Sequence, residues 1–167
     1  MRVYIPATLP MLAELVADGS MQPRSGTAFA VTPALREAYA EGDDEELAEV
    51  ALGEAARASL RLLSAESDDA GKLRRAVVVA DAPTDAATPR PDLDDAVVRV
   101  SGRVSMDQVA AVYVDNAAAE PAVRAAIAVI DEADLGDEDA ELTVGDAQDH
   151  DLAWYATQEL PFLLELL

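Results

Sequence analysis

The sequence predicts an α/β (α+β) protein with a single mixed sheet of about five strands and helices mainly on one face. Three observations carry that expectation. Short apolar runs rich in Val recur at Arg2–Ala7, 27–31, 75–80, Val97–Val100 and 112–114. Segments with helical apolar spacing separate them, and several open on a threonine followed by proline. The third is the stretch 45–65, the longest helix signal in the chain. Leu47, Ala51, Ala55, Ala58 and Leu62 form one apolar row along it, and Leu52, Ala56, Leu60 and Leu63 form a second. Glu46, Glu54, Arg57 and Arg61 fill the remaining strip. More than half of this helix is apolar, so it is expected to be central, with other elements packed on it. At 1.5 Å per residue it spans about 30 Å, the width of a small domain.

In chain order, Arg2–Ala7 is a strand closed by Pro6. Thr8 stands at a helix N-cap with Pro10 in the first turn, Leu9, Leu12, Leu15 and Val16 on one face, and Gly19 as the stop. The strand at 27–31 leads to a second cap, Thr32, before Pro33. Leu35, Ala38 and Tyr39 are expected on the inward face of that helix, and Gly42 is expected to end it in the left-handed conformation. The acids Asp43, Asp44, Glu45 and Glu46 then suit the N-terminus of the central helix through its dipole. After it, 67–71 is a polar turn and VVV within 75–80 a buried strand. Residues 80–95, with Pro83, Pro89 and Pro91, are expected to form a long surface loop. Gly102 turns the chain after the fourth strand, and Ser105 with Gln108 resembles a capping box. Asn116 ends the fifth strand. A helix is expected from Pro121 to Ile130, then an acidic segment, 131–141, and a closing helix through HDLAWYATQEL.

Length suits a single domain, 1–167, and 51% apolar content supplies its core. With 4% aromatics that core must be Ala, Val and Leu. The halves echo each other: PALREAYA and PAVRAAIA both start at proline, and EGDDEEL and LGDEDAEL give matching acidic turns. This suggests an internal duplication with pseudo-repeats 1–66 and 74–167. Absence of cysteine excludes disulfides, thiolate nucleophiles and Cys-based metal sites. The start lacks a continuous apolar leader, and no run approaches the ~20 residues of a membrane span. A cytoplasmic chain without membrane contact is expected.

A formal charge of −21 repels nucleic-acid backbones, and no basic patch with interleaved aromatics occurs, so direct nucleic-acid binding is not expected. The charge fits a GC-rich genome, a salt-loving host, or a decoy that imitates DNA. Catalytic motifs are missing. DEADLGDEDAEL aligns Asp131, Asp137 and Asp139 with a calcium loop but puts Ala133, Leu135 and Leu142 at three ligand positions. His150, the single histidine, is expected near a helix N-terminus with Asp146, Asp149 or Asp151 in reach; no nucleophile motif accompanies it. Phosphate loops are absent, and Arg99 and Arg103 are expected in ion pairs. No cofactor or metal is assigned.

Trp154, the one tryptophan, falls almost opposite Leu152, Ala156, Leu160 and Leu163 if the closing helix runs straight, with Pro161 interrupting it. Burial in its own chain, a subunit or partner interface, and stacking on a ligand all remain readings, with own-chain burial favoured.

The segments MRVYIPATLPMLAEL, TAFAVTPALREAY, ARASLRLL and WYATQEL together resemble an uncharacterised family of actinobacterial cytoplasmic proteins, a domain of unknown function. The resemblance covers almost the whole chain and implies a GC-rich source; it carries over no catalytic residues. The expectation is a non-enzymatic domain acting through a protein partner or self-association as a homodimer. Trp154, Tyr155 and His150 are the candidate interaction residues. An acidic decoy of a nucleic-acid-binding protein is one alternative, and a small-ligand binder or enzyme using Tyr4, Arg99 or His150 in a cleft is the other.

Overall fold

Thr8 leaves the first strand, β1 (Arg2–Ala7), in an extended conformation, and its Oγ1 accepts a hydrogen bond from Met11 N at 3.4 Å. Helix α1 (Leu9–Asp18) therefore starts where the cap and Pro10 place it, and Gly19 ends it at φ 71°. This is seen in a computed structural model that describes residues 1–66 and 72–167; the expected turn at 67–71 lies outside the described residues. Strands β2 (Ser20–Met21) and β3 (Thr27–Phe29) follow, then α2 (Pro33–Ala38), whose cap Thr32 accepts from Leu35 N at 3.1 Å. Helix α2 buries Leu35 alone. Ala38 and Tyr39, expected inward, are exposed because the helix stops after one and a half turns. Gly42 is not left-handed either: α2 has ended before it, and it sits in the turn where Asp43 caps α3 (Asp44–Ala65) by accepting from Glu46 N at 2.9 Å.

The second half supplies β4 (Ala76–Asp81), β5 (Ala87–Pro89), β6 (Val97–Val100), β7 (Val104–Ser105) and β8 (Val109–Val114). Helices α4 (Glu120–Ile127), α5 (Ile130–Asp134) and α6 (Glu138–Gln148) come next, then β9 (Ala153–Tyr155) and α7 (Leu160–Leu166). Gln108 Oε1 accepts from Ser105 N at 2.9 Å, as the capping motif predicts. Three expectations change here. The long loop at 80–95 holds a strand, β5. The helix from Pro121 breaks after Ile127 and restarts at Ile130. The closing helix is not continuous, since β9 occupies its middle.

The main sheet has seven strands, not about five, in the order β5-β6-β3-β1-β4-β8-β9; β2 and β7 pair separately. The two extra strands are three-residue edges, too short to show a period, and β5 ends in a proline that an edge tolerates. Every pairing is antiparallel, so the sheet is not mixed in strand direction. Helices lie on both faces. Val3, Ile5, Ala7, Val78 and Val112 meet Met11, Leu12 and Leu15 of α1 and Leu160 and Leu163 of α7. Phe29, Val77 and Val97 meet Leu35 of α2 and Leu47, Ala51, Ala55 and Ala58 of α3. Five consecutive buried residues of β4, Ala76 to Ala80, reflect this double cover: a strand enclosed on both sides reads as a continuous apolar run. On the side of α3 away from the sheet, Leu60 and Leu63 pack with Val123, Ile130 and Val144 of α4–α6. The central position assigned to this helix holds, because it contributes to both of these clusters. Among the described residues, no helix is long and apolar enough to cross a membrane.

One ion pair is fully enclosed. The side chains of Arg75 and Asp115, leading into β4 and following β8, are 1% and 0% exposed. Asp115 accepts from Arg75 N and Nε at 2.8 Å and from Nη2 at 2.7 Å. Arg75 Nη1 donates to Gln148 Oε1 and Nη2 to the His150 carbonyl, both at 2.8 Å, while Gln148 Nε2 donates to the Gly53 carbonyl at 3.0 Å. Four elements, β4, β8, α6 and α3, are thereby tied at one point, and every guanidinium donor direction in use meets an oxygen.

Candidate interaction face

Three triplets share one pattern in the sequence: VYI in β1, VYV in β8 and AWY in β9, each an aromatic between apolar neighbours. In a strand the neighbours turn to one face and the aromatic to the other. The registers Tyr4↔Val79, Val77↔Tyr113 and Tyr113↔Trp154 set all three aromatics on the α3 side of the sheet, and Tyr4↔Phe29 adds a fourth. The sequence holds two Phe, one Trp and four Tyr, so more than half of its aromatic side chains leave one sheet face.

Their exposure is graded. Phe29 is buried beneath the helices, Tyr4 and Tyr113 are half-buried against the same cluster, and Trp154 is 57% exposed. Val79 and Ala111, paired across β4 and β8, form the floor, and Leu52 of α3 with Leu152 border the α3 side. A register shift next to Val79 leaves Ala110 as an extra residue on β8, a bulge at the margin of the patch. Arg2 and Asp81 close the far rim with a bidentate pair, both bonds 3.0 Å. The hydrogen bond from Arg2 holds the Asp81 carboxyl below its ordinary range, with burial opposing. Burial pushes the Tyr4 phenol up; the Arg2 charge opposes this, and Tyr113 and Asp81 add to it.

The favoured reading of Trp154, burial within its own chain, is overturned. As a strand residue at the sheet edge it stands beside Tyr113 at the open side of the aromatic face, 57% exposed, rather than in a helical core. Tyr155 points to the other face, half-buried beside the α1–α7 cluster. His150 follows the C-terminal end of α6, not a helix N-terminus. Its N–H donates to the Ala147 carbonyl at 3.1 Å, and its own carbonyl takes Arg75 Nη2. The three residues singled out by sequence therefore share a segment but not a site. Sequence spacing does not join Tyr4 and Tyr113 to Trp154, because strand register alone sets them on one face; the repeated triplet is the signal that the sequence offers.

The two sheet edges differ. The β5 edge ends in Pro89, which has no N–H to offer a further strand, whereas β9 contains no proline. Asp149 and Asp151 precede β9 and Glu159 follows it. Among the described residues none of these carboxylates is in an ion pair, and the Glu159 carboxylate accepts from Ala156 N at 3.1 Å.

Other places offer less. Arg99 lies on β6, five strands from β9, roughly 24 Å at strand spacing, so Tyr4, Arg99 and His150 do not share a cleft. Its Nη1 donates to the Ser25 carbonyl, while Arg103 pairs with Glu14 at 3.0 Å. A concavity of about 560 Å³ between Met106, Ala110, Thr157 and Pro161 is lined by one carboxylate, Asp107, and the Thr157 hydroxyl already donates to the Val109 carbonyl at 3.1 Å. The acidic segment is the end of α5, a turn and the start of α6, with Asp137 capping Ala140 N at 2.8 Å. Among the described residues no group of three acidic or histidine side chains is arranged to hold a metal ion.

A family model described as a family of unknown function (DUF6912) matches residues 1–164, and the chain belongs to that family. No curated protein and no solved structure matches it.

Proposed function

We propose that this chain is a non-enzymatic protein-interaction domain of the cytoplasm, from an actinobacterial source, and that it docks its partner on the aromatic sheet face ending at Trp154. A single observation carries the reading: a sequence poor in aromatics sets four of them on one sheet face, with its one tryptophan exposed on the edge strand. Tryptophan and tyrosine supply large contact area at small entropic cost and dominate interface energies. The decoy alternative rests on charge. It draws less support, since Asp43 and Asp137 spend their carboxylates capping helices.

Affinity capture from host lysate tests this, with wild type, Trp154→Ala and Tyr39→Ala compared. Tyr39 is an exposed aromatic on another element and serves as control. Trp154→Ala is expected to keep the wild-type melting temperature within about 2 °C, as an exposed side chain should, and to lose the captured protein that Tyr39→Ala retains. Identical capture by all three refutes the reading.

A further inference from the structure

We infer, resting on that interaction reading, that the free edge of β9 accepts a basic, extended segment of a partner protein as an eighth strand of the sheet. Three independent features converge on this occupant. The edge is open where its counterpart is not: Pro89 closes the β5 side, and β9 keeps its outward backbone groups for an incoming strand. Next, a strand laid along β9 sets every second side chain on the aromatic face. The cross-strand neighbour of Trp154 then stands about 5 Å from it, the spacing already used by Tyr113 on the other side. Finally, Asp149, Asp151 and Glu159 bracket the strand, and among the described residues none of them is in an ion pair, on a chain of charge −21. A lysine or arginine at the alternate positions lies over the indole and between these acids, combining a cation–π contact with charge attraction. A second copy of this chain is the disfavoured occupant, because it sets the same carboxylates against themselves.

The probe is an acetylated, amidated peptide of four Lys-Val repeats. Its controls are the Glu-Val counterpart and a Lys-Val version N-methylated at alternate amides, which keeps charge and removes strand donors. Binding is read from Trp154 emission and from hydrogen exchange of the β9 amides. The expected result is saturable binding of the Lys-Val peptide with a blue shift and slowed exchange within Ala153–Tyr155. Affinity should fall at least tenfold on N-methylation and in Trp154→Ala. Four results overturn the inference: no binding; N-methylated binding within twofold; equal binding of the Glu-Val peptide; or a dimer in sedimentation that Trp154→Ala dissolves. If the peptides fail while lysate capture still depends on Trp154, strand addition falls and the aromatic face survives; if capture also ignores Trp154, both fall.

Discussion

Replacing Asp115 with alanine removes two acceptor contacts from a guanidinium that is 1% exposed, and a third from the Arg75 backbone N–H. Arg75 keeps the Gln148 Oε1 and His150 carbonyl bonds, but its buried charge then has no counter-ion. Breaking a buried pair from one side costs about 3–5 kcal/mol, mostly the penalty of the stranded charge. For a domain of this length each kcal/mol moves Tm by about 2–4 °C, so Asp115→Ala should melt roughly 10 °C below the parent. Urea unfolding gives the free energy, and a cycle with Arg75→Met and Asp115→Leu separates charge from contact. The double variant should recover part of the loss. It abolishes the buried charge, yet leaves the residue-75 N–H and the His150 carbonyl without their partners, at about 1–3 kcal/mol for each such group. If Asp115→Ala unfolds within about 1 kcal/mol of the parent, the network does not hold β4, β8, α6 and α3 together, and the reasoning is wrong.

Other outcomes follow from the same geometry. Burial pushes the Glu54 carboxyl up, Asp94 adds to this, and Arg61 and Arg57 oppose it. An acid raised in the folded state weakens folding once ionised, so stability falls as pH rises from the ordinary glutamate value, about 4.3, through the folded one. Glu54→Gln should raise Tm at pH 7, with the gain gone below about pH 4; an unchanged or lower Tm at pH 7 contradicts the burial argument. A Cβ on Gly26, at φ 69°, would stand 2.9 Å from the Val100 carbonyl oxygen, so Gly26→Ala should cost about 2 kcal/mol in chemical denaturation. Gly42→Ala crowds the buried Leu47 side chain at 3.1 Å, with Tyr39 Cβ at an ordinary 3.5 Å, and without a positive φ it should cost no more than about 1 kcal/mol. Eight of the eleven arginines are in ion pairs with nine carboxylates among the described residues, which leaves most of the 33 acids without a cation. Tm should therefore rise from low salt to about 0.3 M sodium chloride, and a flat scan would mean that self-repulsion is already offset.

Much of the architecture is written in local chemistry. Thr8, Pro10 and Gly19 bound α1 because capping and chain stiffness act within a few residues. The Asp43–Glu46 acids and the double apolar row likewise define α3. What failed was settled at long range. The spacing of Leu152, Ala156, Leu160 and Leu163 imitates one helix, yet pairing of 153–155 with β8 outweighs that period, and only the stretch from Thr157 is helical, a 3-10 turn leading into α7. β5 hides in a proline-rich stretch because an edge tolerates what a central strand rejects. The aromatic face needs the same long-range information: the triplets VYI, VYV and AWY hint at it, but residues 4, 113 and 154 share one face only through the strand register.

The strand order has a consequence for how the polypeptide can be divided. β1 and β3, from the first half of the chain, are neighbours, but β4 flanks them on one side and β6 with β5 on the other. The second half thus clasps the first, and a cut between α3 and β4 would strip both of those strands of a partner. Expressed apart, the two fragments should each be insoluble or unstructured, and mixed from denaturant they should reconstitute one particle. Circular permutants opened in that same connection should fold, because they keep the clasp while moving the ends.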